Sequence, residues 1–322
     1  MQEIRVSENE AGQRLDKLLA KFLKEAPKSF LYKMLRKKNI TLNGKKATGL
    51  EKLVRGDSVK LFLADETIEK FAGKAAKVNY PTTTLDIIYE DSHILLMNKP
   101  VGMLSQKAKD TDVSAVEYVI GYLLSTGSLK EDDLKTFRPS VCNRLDRNTS
   151  GVLAAGKSLT GLQGLSQLFK ERDLKKYYLC LVKGRVTKAE HIEGYLHKDE
   201  KTNRVHILDY EVSGSSRIET EYKPLKSNGN MSLLEVHLIT GKTHQIRSHL
   251  SSVGHPILGD YKYGDQELND GFKKKYHISS QLLHAYRLEF PQIEGALSYL
   301  SGKVFYADVP EIFQKICTEI GD

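Results

Sequence analysis

The segment Asn143-Arg144-Leu145-Asp146-Arg147-Asn148-Thr149-Ser150-Gly151 sets one carboxylate between two guanidinium groups and follows it with two hydroxyls and a glycine. Arginine beside a carboxylate favours its ionised form, and an ionised carboxylate can act as a nucleophile or stabilise a developing positive charge. The same spacing also describes a surface ion pair in a turn. Because the segment runs straight into the apolar stretch Val152 to Ala155, it predicts an irregular loop at a strand entrance, where rigid sheets commonly display functional groups. Thr149, Ser150 and Gly151 are residue types that shape such a loop through bonds to their own backbone.

Other chemistries fail on spacing. Gly241-Lys242-Thr243 invites a phosphate-loop reading and a nucleotide-driven enzyme, but the glycine required five residues before Gly241 is Val236. No G-x-G-x-x-G follows a strand, and neither H-E-x-x-H nor G-x-S-x-G occurs. His244 and His249 stand five apart on a predicted helix and do not share a face, so a histidine metal site is not expected. Cys142, Cys180 and Cys317 are too scattered for a disulfide framework or a Cys-x-x-Cys site. No apolar run approaches the roughly 20 residues a membrane span needs, and the first residues lack a signal-peptide stretch. The expectation is a cytoplasmic protein with no membrane association, no metal and no nucleotide cofactor.

The elements that would position the Asp146 segment can be read from periodicity. His93 to Asn98 pairs with Asp86 to Tyr89 as a hairpin; Val116, Val119, Ile120, Leu123 and Leu124 mark an amphipathic helix. A second helix should place Leu162, Leu165, Leu168 and Phe169 inward. Tyr177 to Val182 and Leu233 to Ile239 read as strands. Thr243 is expected to cap a helix whose inner face is Ile246, Leu250 and Val253, ended by Gly254 and Pro256. Strands interleaved with helices but without a regular βαβ repeat predict an α+β fold with a mixed, mostly antiparallel sheet flanked by helices.

Ahead of this lies a small α/β module. Leu15, Leu18, Leu19, Phe22 and Leu23 line one helix face, and a second helix should follow Pro27. Short strands at Ile40 to Leu42 and Val59 to Leu63 accompany the turns Asn43-Gly44 and Gly56-Asp57. Periodicity then fades, which predicts domains at 1–64 and 80–322 joined by a linker over 65–79. The module holds the charge. The chain carries a net +8. Between Lys28 and Lys60 ten basic residues face two acidic ones, so this stretch alone contains the whole excess. Lys28, Lys33, Arg36, Lys37, Lys38, Lys45 and Lys46 form either a solvated face or the footprint of a polyanion-binding surface.

Asn143 to Gly151 resembles the R-L-D-x-x-T-S-G signature of the RluA-type pseudouridine synthases. Further matches occur in that family's order. Lys176 to Gly184 is similar to its K-x-Y-x-A-x-V-x-G strand. Thr240 to Leu250 is similar to its T-G-R-T-H-Q-I-R-x-H-L segment, and Gly254-His255-Pro256-Ile257-Leu258-Gly259-Asp260 to its G-H-P-I-x-G-D. Asn98-Lys99-Pro100-x-Gly102 and Leu283-His284-Ala285 also have counterparts. Together they cover about residues 80 to 315. Arg14-Leu15-Asp16, Leu35 to Lys38, Leu42-Asn43-Gly44 and Gly56-Asp57 resemble the alpha-L RNA-binding motif, named after a small-subunit ribosomal protein. The basic block falls inside that motif, which turns the polyanion toward RNA.

The resemblance implies the pseudouridine synthase fold and an isomerase. The bond from ribose to the uracil nitrogen breaks, the base turns over, and a bond forms at its carbon-5, with nothing oxidised and no cofactor. It implies Asp146 as the carboxylate at the anomeric carbon, by covalent adduct or by a glycal path, as in glycoside cleavage. Tyr178 would stack on the base and is the candidate to accept a sugar proton, Arg247 would hold Asp146 ionised, and Arg144 would fill the gap left by the flipped nucleotide. Asn143 stands where many relatives have histidine and Lys242 where arginine is usual. Ribosomal RNA, of the large subunit, is favoured as substrate, with transfer RNA as the second choice. A binding protein for ribosome assembly that uses this fold without chemistry is the rival reading.

Overall fold

The computed structural model describes residues 1–72, 79–199, 202 and 204–320. Its first part is a four-stranded antiparallel sheet in the order β1-β4-β2-β3, from β1 (Gln2–Arg5), β2 (Ile40–Leu42), β3 (Lys45–Lys46) and β4 (Ser58–Leu61). Helices α1 (Leu15–Phe22) and α2 (Lys28–Arg36) lie between β1 and β2 in the chain. Asn43 and Gly44 both take positive φ in the turn from β2 to β3, as a type I′ hairpin requires. Leu15, Leu18, Leu19, Leu31, Leu35, Ile40, Val59 and Leu61 are buried in a core drawn entirely from residues Ile4 to Phe71.

The stretch expected to be linker differs from expectation. It opens with α3 (Asp65–Ala72), whose Ile68 is buried and whose Phe71 ring lies 4.6 Å from that of Phe30. One apolar face of two turns is too short to stand out from its charged neighbours. Residues 73–78 of the expected linker lie outside the described residues.

The larger part is an 11-stranded sheet with a main path β11-β10-β12-β13-β9-β14-β8-β6-β5. In chain order its strands are β5 (Ile87–Glu90), β6 (Ile94–Lys99), β7 (Ser140–Val141), β8 (Ser150–Gly156), β9 (Lys175–Lys183), β10 (Glu190–Asp199), β11 (Arg204–Leu208), β12 (Ser216–Ser227), β13 (Met231–Leu238), β14 (Leu283–Glu289) and β15 (Val304–Tyr306). Every pairing is antiparallel except β8 with β14. The sheet is mixed and mostly antiparallel, as the sequence predicts.

Helices cover both faces. Alternation along β9 sends Tyr178, Cys180 and Val182 to one side and Leu179 and Leu181 to the other. The first set joins a core with α4 (Ala115–Ser125) and with Ile246 and Leu250 of α6 (Gln245–Ser252). The second packs with Tyr276 of α7 (Gln266–Tyr276) and with Phe313 and Ile316 of α8 (Glu311–Ile320). Helix α5 (Leu159–Glu171) buries Leu165 and Leu168 near the opposite end of the sheet.

Gly151 is demanded by the parallel crossing. Its φ is +113°, and a Cβ there would sit 2.1 Å from the carbonyl oxygen of Ala285 on β14. A glycine therefore stands second in β8, just after the loop that carries Asp146.

Candidate active site

Asp146 lies in the loop between β7 and β8, and the backbone on both sides of it is fixed. On the N-terminal side, Ser105 Oγ donates to the carbonyl of Leu145 at 2.8 Å and accepts from its amide at 3.0 Å. On the C-terminal side, the carbonyl of Arg147 accepts from the amide of Gly102 at 2.9 Å and from Lys99 Nζ at 3.1 Å. Lys99 is wholly buried at the end of β6 and also donates to the carbonyls of Pro100 and Met103. Burial pulls its pKa down to about 8, against a smaller opposing effect of Asp146. The amide of Thr149 closes the turn on the carbonyl of Asp146 at 3.0 Å.

The side chain of Asp146 is one-quarter exposed. Its Oδ2 accepts from Arg247 Nη1 at 2.8 Å, and among the described residues no hydrogen bond to Oδ1 is found. Arg247, on α6, is held from behind: Nε and Nη2 donate to the two oxygens of Asp260 at 2.7 and 2.9 Å. Asp260 is itself buried and accepts from the amides of Lys262 and Tyr263. The guanidinium lies 5.2 Å from the centroid of the Tyr263 ring. Hydrogen bonds from Arg247 hold the Asp260 carboxyl below its usual range although burial opposes this, and the two carboxylates keep Arg247 firmly charged.

Tyr178 projects from β9 into the same cleft, 7% exposed. Burial, assisted by the charge of Asp146, pushes its phenol well above the ordinary range, so it is neutral at pH 7. Leu238, Ile246 and Leu283 give the cleft apolar walls, and Arg144, Lys242 and His244 line it as well. The adjoining space, about 580 Å3, extends past Arg147, Asn148, Lys198 and Gln281. The structure thus brings Asp146, Tyr178, Arg247 and Arg144 to one cleft. Arg144 is exposed, as are Lys28, Lys33, Arg36, Lys37, Lys38, Lys45 and Lys46, which sit on α2, β3 and the turn between α2 and β2, and none of these seven lines the cleft.

Helix α6 begins differently from expectation. The N-cap position belongs to His244, in the left-handed region at φ 56°, and no side chain caps the helix there. Thr243 is not the cap, because Gln245 Oε1 takes the amide of Lys242 and the hydroxyl of Thr240, tying down the chain before the helix. Val253, expected inward, is exposed and lies just past the helix end.

Spacing does not single out Lys99, Ser105 or Asp260. Lys99 and Asp260 fall in short matched motifs, but a lone lysine or aspartate has no periodicity that reveals what it grips. Ser105 gives no sequence signal.

The sheet and its helices have the architecture of the pseudouridine synthases. The human RNA pseudouridylate synthase domain containing 4 superimposes with a TM-score of 0.58 at 23% identity, over 73% of this chain and 92% of that one. The human RNA pseudouridylate synthase domain containing 1 gives 0.51 at 21%, over 74% and 97%. A family model described as RNA pseudouridylate synthase matches residues 93–252. The ribosomal large subunit pseudouridine synthase C of Vibrio vulnificus is 32% identical over 300 residues, which is 90% of this chain and 88% of that protein. The protein of the same name from Escherichia coli K12 is 31% identical over 298 residues, 89% and 88% of the two chains. The chain belongs to the RNA pseudouridylate synthase family, and it is an isomerase that converts uridine in RNA to pseudouridine. Among the described residues no helix is long and apolar enough to cross a membrane.

Proposed function

We propose that this chain isomerises uridines of large-subunit ribosomal RNA, in the cytoplasm, with Asp146 as the group that meets the anomeric carbon. The observation that carries the reading is the asymmetry of the Asp146 carboxylate, which lines the cleft: Oδ2 is engaged by Arg247, and among the described residues no hydrogen bond to Oδ1 is found. A carboxylate fixed by an arginine beside an apolar slot suits a transition state in which positive charge gathers on the ribose.

In this reading the target nucleotide leaves its stack and enters the cleft. Its base lies against Tyr178, Leu238, Ile246 and Leu283, while Arg144 takes the vacated place in the RNA. Asp146 Oδ1 either bonds to the anomeric carbon as the electron pair departs with the base or stabilises the cation while a proton leaves carbon-2′. The high pKa of the Tyr178 phenol supports stacking and hydrogen-bond donation at neutral pH; a proton-accepting role would require the phenolate. The apolar walls exclude water, which would otherwise hydrolyse the sugar. Exposed basic residues from Lys28 to Lys46 hold the RNA outside the cleft.

The reading is tested by incubating the protein with ribosomal RNA carrying tritium at uridine carbon-5. Label should pass to solvent with the wild type and not with Asp146→Ala. Release from transfer RNA alone would move the substrate to that class, and no release from any cellular RNA would favour a binding protein. Mapping pseudouridines in cells with and without the protein then identifies the position.

A further inference from the structure

His244 occupies a place that its role as a helix boundary does not explain. It holds a left-handed backbone at φ 56°, which a non-glycine residue adopts at some cost, and its side chain, 14% exposed, turns into the cleft. Its Nε2 lies 4.0 Å from Asp146 Oδ2, and its Nδ1 lies 2.9 Å from the hydroxyl of Tyr263. That hydroxyl already accepts from the amide of Val205 at 3.1 Å. With its oxygen taken by Val205, the Tyr263 hydroxyl is assigned as donor to Nδ1, which puts the ring hydrogen on Nε2, facing the cleft, where no acceptor among the described residues lies within hydrogen-bond distance. Burial lowers the pKa of His244 and keeps the ring neutral, so the tautomer set by Tyr263 is the one present at pH 7.

We infer that His244 is a further catalytic residue: its Nε2–H donates a hydrogen bond to the uracil as the base departs. The inference rests on the function proposed above. When the bond between the anomeric carbon and N1 breaks, its electron pair leaves with the base, and negative charge spreads over N1, O2 and O4. The carbon is compensated by Asp146, or by loss of the proton at carbon-2′. The hydrogen bond itself moves no proton and consumes nothing. A base attached to a carbon beside Asp146 falls within reach of a donor 4.0 Å from that carboxylate. A neutral donor suits the task, because its bond strengthens as charge develops in the low-dielectric slot and its N–H is too weak an acid to give its proton up to the base.

The experiment compares His244→Gln with His244→Met in the full-length protein. The two side chains have similar shape and meet the same backbone cost, but only glutamine can donate. His244→Met should lower kcat about 10²- to 10³-fold with KM little changed, the range expected for removing one donor to a developing anion. His244→Gln should recover at least about tenfold of that loss. With 5-fluorouridine at the target position, a better leaving base, the deficit of His244→Met in breaking the bond at N1 should shrink, because the donor matters less. Tyr263→Phe, which frees the tautomer, should lower kcat in the same direction with KM unaffected.

The inference is overturned if His244→Met stays within about threefold of wild type, if its loss lies in KM alone, if Gln is no better than Met, or if the fluorinated substrate shows the full deficit. Failure of the wild type to release tritium from any RNA is the separate outcome that overturns the proposed function itself.

Discussion

Arg247 grips Asp260 with two nitrogens and offers only Nη1 to Asp146. The buried pair fixes the direction from which Asp146 is held, so orientation of this carboxylate is set 13 residues beyond the arginine that contacts it. Removing one member of such a pair strands the other's charge. Asp260→Ala should destabilise the protein by about 3–5 kcal/mol in urea unfolding. Asp260→Asn, which keeps the shape, should cost less stability but still lower kcat. Wild-type stability in Asp260→Ala would show that the pair is not the anchor.

Replacing Asp146 separates chemistry from binding. Asp146→Asn preserves size and removes the charge, and tritium release should fall roughly 10⁴-fold or more, the scale seen when an enzyme loses a central carboxylate or nucleophile. RNA affinity, measured by filter binding at fixed salt, should stay close to wild type. A parallel collapse of affinity would make Asp146 a binding residue.

Lys99 links pH to stability in an unusual direction. Its folded pKa of about 8 lies below the ordinary 10.5, so the unfolded chain holds more protons between these values and stability rises with pH across that window. Burying the charge costs about 3 kcal/mol below pH 8, recovered as pH approaches 10.5. Against Lys99→Met, the wild type should gain urea stability from pH 8 to 10, while its kcat at pH 7 exceeds that of the variant because the Asp146 loop is pinned. A flat difference across that range would disprove the linkage.

Gly151→Ala tests the seam between β8 and β14. With φ at +113° and a backbone carbonyl 2.1 Å from the added carbon, neither local relaxation nor rotamer change can absorb the methyl. The variant should lose roughly 2–4 kcal/mol or fail to accumulate as folded protein. Activity lost with stability intact would mean instead that the glycine serves the loop alone.

The basic surface of α2 and the turn after it is tested by salt. Neutralising Lys33, Arg36 and Lys37 together as glutamines should lower RNA affinity uniformly and flatten the log-log salt dependence by roughly 0.7–0.9 for each phosphate no longer neutralised. An unchanged slope would mark these residues as a solvated face.

Much of the fold is legible in the residues alone. The hairpin β5–β6, helices α4 and α5, strands β9 and β13 and the Asn43-Gly44 turn come from periodicity and turn chemistry, because their apolar faces are long or their backbone needs are specific. Strands β10 to β12 give weaker signals: their outward residues, such as Glu193, Arg217, Glu219 and Glu221, are charged and partly exposed, and dilute the alternation of Gly194, Leu196, Ile218 and Tyr222. The site is legible as motifs but not as a mechanism of support. Asp146 and Arg247 are 101 positions apart, and nothing in either segment states that Asp260, Ser105 and Lys99 fix the pair from outside it.

The anchoring of the loop by Ser105 on one side and by Lys99 and Gly102 on the other leaves the enzyme little freedom to reshape itself around a nucleotide. Distortion on forming the complex must then fall on the nucleic acid. On the function proposed above, discrimination between uridines would become a contest of pliability: those in bulges or poorly stacked loops would surrender their neighbours cheaply, while a uridine locked in a regular duplex would be disfavoured before any chemistry begins.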